Sequence, residues 1–222
     1  MAGGAATRAS RTLRGIGLAL VVCILAACAR NEAPAADAWR DWLGRDDHAA
    51  EVAAYAAYLR TEGVEAVVPM PELLRTSRRW RDCGHDAWAV PPRALWPRIV
   101  PTLRLIARIE TDTGLRLDAA RSGWRSETVN RCASGAARSR HLQNVALDID
   151  LPASLPSPVG TAADAGGNDS PLTRLCGFWR RHGAQTAMGL GFYTPTRIHI
   201  DTAGHRTWGS DHRRGTSLCV RG

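Results

Sequence analysis

The sequence predicts an α+β fold, with a helical first part over residues 46–112 and a core of short strands over 113–222, the helices packed to one side of a small antiparallel sheet. Apolar residues recur at helical spacing as far as Ile109, and after Gly114 they alternate with polar ones as strands require. Length sets the scale, because 222 residues suffice for one domain with its own core and are too few for two of ordinary size.

The chain opens with Arg8, Arg11 and Arg14, then an apolar run from Ile16 to Leu25 closed by small residues, the pattern of an export signal over residues 1–27. The run is too short for a permanent membrane span. Leu25-Ala26-Ala27-Cys28 resembles the bacterial lipobox, which implies that Cys28 is diacylated and anchors the chain in a membrane. Ala29 stands where an inner-membrane retention signal would place Asp, so the expected location is the periplasmic face of the outer membrane. A small, polar, Pro-containing stretch reads as a tether over residues 28–45.

Asp46 and Asp47 offer an N-cap before Val52, Tyr55, Ala56 and Leu59, a helical face that ends near Gly63. A short helix is expected after Pro71. A longer one follows Pro91-Pro92, with Leu95, Ile99, Leu103, Ile106 and Ile109 on one face and a bend or interruption at Pro97 or Pro101. Leu115, Leu117 and Ala119 read as a strand running into Ser122-Gly123-Trp124-Arg125, and Glu127 to Cys132 as a helical turn. Val145 to Leu151 is a second strand, Pro152 to Ser170 a surface loop, and Pro171 to about Gly183 a helix. Gly189 to Tyr193 and Arg197 to Thr202 complete the strands.

The net charge is +8; the leader holds three of the arginines and no acid, so the remainder carries +5, all of its basic residues arginine. Such a surplus suits an anionic polymer. Export and the lack of a basic stripe interleaved with aromatics argue against nucleic acid as a partner. With Cys28 lipidated, Cys83, Cys132, Cys176 and Cys219 face an oxidising compartment, where four cysteines allow three pairings. The expected pairs are Cys83 with Cys132 and Cys176 with Cys219, since each would tie a terminal or loop segment to the region of the candidate site. No two lie at CxxC spacing, so a zinc–cysteine knuckle is disfavoured.

His141 precedes Asp148 by seven residues, and His199 follows on another strand fifty-one residues later. Two imidazoles and a carboxylate fill three tetrahedral positions of a catalytic zinc and leave the fourth for water. The stretch Ser139, His141, Ala146, Asp148 resembles the SxHxxxxAxD motif of the M15 peptidases, the zinc D-alanyl-D-alanine carboxypeptidase family. Ser122 to Asn130, SGWRSETVN, resembles the family's SGYRSxxxN element, and GLGFYTPTRIHIDTAGHRTW its third-ligand segment; the likeness spans about Cys83 to Gly209.

The resemblance implies Zn2+ held by His141, Asp148 and His199, an α+β fold of the zinc D-Ala-D-Ala carboxypeptidase/Hedgehog type whose sheet carries these ligands, and a peptidoglycan peptide substrate. It implies substrate contact for Arg125; Arg197 and Ser139 are further substrate-binding candidates. The chain departs from the family in two ways. Asn144 stands where Gly is frequent, and Thr196 and Arg197 stand where relatives carry an acid or a histidine as general base. The base is therefore sought elsewhere: Asp201, on the same strand face as His199, is the candidate, with orientation of a ligand histidine as its other reading. His205 is a candidate proton shuttle. The expected function is a monomeric zinc carboxypeptidase or endopeptidase of peptidoglycan peptides; the alternative is a peptidoglycan-binding lipoprotein that kept the fold without turnover.

Overall fold

A computed structural model describes residues 36–152 and 170–220, besides Met1. The export signal, the Cys28 anchor and most of the loop from Pro152 to Ser170 lie outside the described residues. Residues 35–222 cluster as one compact unit.

The first helix among the described residues, α1 (Ala36–Leu43), falls inside the stretch read as a tether. Trp42 explains the difference: it is 2% exposed, stacks on Trp39 and His48, and tilts against Trp88, so this short amphipathic turn docks on the core. Next come α2 (His48–Thr61), which buries Tyr55 and Leu59, and the single turn α3 (Met70–Leu73). The long α4 (Trp96–Thr113) buries Ile99, Leu103, Ile106 and Ile109 and ends on Gly114 in the left-handed conformation. Pro97 falls in its first turn, where a missing N–H costs nothing, and the helix runs on unbroken through the interior Pro101. The α5 turn (Glu127–Cys132) is capped by Ser126 and α6 (Pro171–His182) by Ser170, each side chain accepting a backbone N–H of the first turn.

Among the described residues five strands form one sheet in the order β1 (Ala120–Ser122), β2 (Ala146–Asp150), β4 (Arg197–Asp201), β3 (Gly189–Thr194), β5 (Arg206–Trp208). The sheet is antiparallel as expected except at one edge, where the short β5 lies parallel to β3. The strand foreseen from Leu115 does not form until Ala120. Leu115 and Leu117 are buried, but the Leu117 N–H donates to Glu110 Oε1 at 2.7 Å in place of a neighbouring strand.

Period-two alternation then divides the sheet. Leu147, Ile149, Leu190, Phe192, Ile198 and Ile200 are at most 2% exposed and face the core, with α4 packed on β2 and α6. Asp148, Asp150, Arg197, His199 and Asp201 share the other face. Cys83 is bonded to Cys132 and Cys176 to Cys219, fastening the loop before Cys83 to the end of α5, and α6 to the chain's last turn.

Candidate metal centre

The β2–β4 register places Asp148 opposite His199, and a 3₁₀ turn (Arg140–Gln143) delivers His141 beside them. The ligand atoms of the three lie within 4.8 Å of one another, and all three residues are buried. Asn144 ends that turn at φ 53°, ψ 44°, the left-handed conformation that explains why glycine suits this position and why asparagine can replace it. Its side-chain N–H donates to the Leu95 carbonyl, fixing the turn to the start of α4.

Counting protons shows why the cluster suits a cation. His141 Nδ1 donates to the Gly123 carbonyl at 2.7 Å, and burial, with Arg125 nearby, pushes this imidazole towards neutrality. Its Nε2 is then a lone pair 3.1 Å from Asp148 Oδ1. His199 faces carboxylates on both sides, Nε2 at 3.0 Å from Asp201 Oδ2 and Nδ1 at 3.0 Å from the same Asp148 Oδ1. A neutral ring supplies one proton for the two. Burial disfavours the charged ring, but the two acids more than offset it and raise the His199 pKa. Burial alone would raise Asp148; His141, His199 and Arg125 together hold it well below the usual carboxylate range. Two ring nitrogens and a carboxylate oxygen thus converge with fewer protons than acceptors, which is the donor set a divalent ion takes.

Each ligand is oriented from behind. Gly123 holds His141 and can only be glycine, since a Cβ there would stand 2.3 Å from the Leu73 carbonyl oxygen. Asp201 holds His199. Arg125 donates from Nη2 to Asp148 Oδ2 at 2.7 Å, while its Nε donates to Ser122 Oγ and the Thr76 carbonyl. Its role is therefore first to position a ligand, although its side chain also lines the cleft. Trp208 closes the floor beside His199, its ring so close over Gly191 that a Cβ would meet it at 2.3 Å.

Several candidates are placed differently by the structure. Asp201 is fully buried, with one oxygen accepting from the Ala203 N–H and both engaged by Arg206, and these partners with His199 hold its pKa at about 2 despite burial. A carboxylate so occupied orients His199; it is not a general base. Arg197 spends its guanidinium on Asp150 at 2.7 Å and does not line the cleft. His205 packs on Trp179 away from the cleft. Thr196 is exposed in the β3–β4 turn. Ser139 does line the cleft, at the start of the ligand turn.

The cleft over the three ligands has a volume of about 650 Å³. Asp148 is its one carboxylate among the described residues. Two groups there carried no sequence signal. Tyr193, at an irregularity of β3, lines the cleft near Asp148, and burial with that carboxylate raises its pKa, so it stays a neutral donor. His212 comes from the C-terminal segment and has no side-chain partner among the described residues. A lone histidine in a polar tail has no distinguishing spacing, and Tyr193 would be found only by its parity with His199 across an irregular strand.

The family model for Peptidase M15 matches residues 69–163, which includes the SGWRS element, His141 and Asp148 and ends before His199. No curated protein and no solved structure matches the chain.

Proposed function

We propose, from the match of residues 69–163 to the Peptidase M15 family model, that this chain is a zinc-dependent peptidase acting on peptidoglycan peptides, exported and anchored through Cys28 at the periplasmic face of the outer membrane. Convergence of His141 Nε2, His199 Nδ1 and Asp148 Oδ1 on one point, with each residue held from behind, carries the reading.

Zinc in this set supplies Lewis-acid activation of water and of the scissile carbonyl. The chain's own groups do the rest. Gly123, Asp201 and Arg125 keep the three ligands aligned, which fixes where the reacting atoms stand. Tyr193, a neutral hydroxyl beside Asp148, donates a hydrogen bond to the oxygen on which charge develops. His212, whose imidazole has no partner among the described residues, in a cleft to which those residues bring no second carboxylate, carries the proton from the attacking water to the departing amine.

That the described residues bring no second acid to the cleft also supports the other reading, a domain that grips the polymer without cutting it. One experiment separates the two. Soluble protein beginning after Cys28 is expected to hold about one zinc per chain and to release D-alanine or cleave cross-linked muropeptides, both properties disappearing in His141→Ala. Stoichiometric zinc with no product from any muropeptide would establish the binding module instead.

A further inference from the structure

The cleft is strongly unbalanced in charge. Among the described residues seven arginines line it against one carboxylate, and Asp148 already has Arg125 and two histidines for company. Of the others, Arg206 is bound to Asp201, Arg140 to Gln143, and Arg79 to Asp82 and Ser134. The side chains of Arg78, Arg138 and Arg214 have no hydrogen bond or ion pair with any described residue.

These three come from separate parts of the chain. Arg78 lies on the segment tied by the Cys83–Cys132 bond to the end of α5, Arg138 on the approach to the His141 turn, and Arg214 in the last 3₁₀ turn (Arg214–Thr216). Desolvation and the nearby Arg197 charge both disfavour the Arg78 cation where it stands. Gathering like charges around one hollow is unfavourable by itself, and a divalent ion at the ligands makes it more so. An anionic guest relieves the repulsion, and guanidinium forks match carboxylates in shape.

We propose that this cleft selects peptides bearing more than one free carboxylate near the scissile bond, with Arg78, Arg138 and Arg214 as the specificity-determining residues. The inference rests on the peptidase reading of the site, but its recognition arm can be read without catalysis. Uncharged or amidated stem peptides lose these contacts and face an unrelieved cationic pocket. Cross-linked strands whose terminal carboxylate has been consumed are poorer guests than free stems.

The test is binding, by calorimetry, of a D-Ala-D-Ala-terminated acidic stem peptide and of its fully amidated analogue to the metal-stripped soluble protein, followed by hydrolysis of both by the zinc-loaded form. The acidic peptide is expected to bind roughly tenfold tighter or better, an advantage that shrinks as salt rises. Arg78→Gln, Arg138→Gln and Arg214→Gln should each reduce the advantage several-fold and together abolish it. Their zinc content and thermal midpoint should stay native, since none of these side chains supports the fold. Equal affinity for the two peptides, or a preference that survives in the triple variant, overturns the proposal. Binding preference without hydrolysis of either peptide upholds the carboxylate pocket and removes the peptidase reading; equal hydrolysis of both does the reverse.

Discussion

Two alternate rungs of the β2–β4 ladder point to the same side of the sheet and reach opposite outcomes. At one, Asp148 faces His199; at the other, Asp150 faces Arg197. Asp150 receives Arg197 at 2.7 Å and Arg121 at 2.7 Å, two permanent cations that close the rung as a structural ion cluster. Asp148 receives Arg125 on Oδ2 alone, and its Oδ1 meets two imidazoles, which share too few protons among too many acceptors and leave room for a metal. Sharing a strand face with the ligands therefore does not make a residue functional. What decides is whether its partners already satisfy it.

The comparison can be broken from either rung. Replacing His199 by alanine, or stripping with a chelator, should abolish zinc binding and reduce peptide hydrolysis to background, measured by metal analysis and product release; zinc should restore only the stripped protein. Asp201→Asn should weaken zinc about 10- to 100-fold in a competition titration, the effect of losing a group that orients a ligand. Its pH–rate profile, once saturated with zinc, should keep the native shape, whereas loss of the basic limb would return Asp201 to the role of base. Tyr193→Phe should keep full zinc and lower kcat by about 10- to 100-fold with little change in KM, as expected for a donor that acts on developing charge.

The closed rung should respond in stability alone. Burial raises the Asp150 pKa, but Arg197 and Arg121 more than offset it and leave it below the ordinary value. A depressed carboxylate stabilises the fold above its unfolded pKa and loses that contribution as pH falls through the folded one. Asp150→Asn should therefore cost about 1–2 kcal/mol near neutrality, and the gap from native should narrow in acid, with zinc content unchanged throughout. Smallest of all, Arg197→Gln should leave KM within about twofold of native, because its guanidinium is already committed to Asp150 and stays out of the cleft.

Much of this was legible before any coordinates. The stripe on α4, the helical turn at α5, the start of α6 at Pro171 and the alternation of β2 and β4 follow from periodicity and turn chemistry, which are local. The motif around Ser139, His141 and Asp148 and the strand carrying His199 pointed to the ligand set, and Asn144 adopts the left-handed angles that a glycine position implies. The tether was misread over α1 because a Trp-rich octapeptide is ordered by what it packs against, and Trp88 lies far along the chain. The parallel β5 edge was invisible for a similar reason: three residues hold too little periodicity to announce a strand.

The sequence by itself determined the ligand types, their strand parity and the glycines that let backbone and ring approach. It could not say which carboxylate would serve which partner. Asp201 behind His199, Arg125 on Asp148, Arg197 on Asp150 and the free arginines at the cleft mouth were decided only in the folded molecule. Parity places a side chain on a face, but a charged group's role depends on which opposite charges arrive within hydrogen-bond reach, and those arrive from segments brought together by the fold.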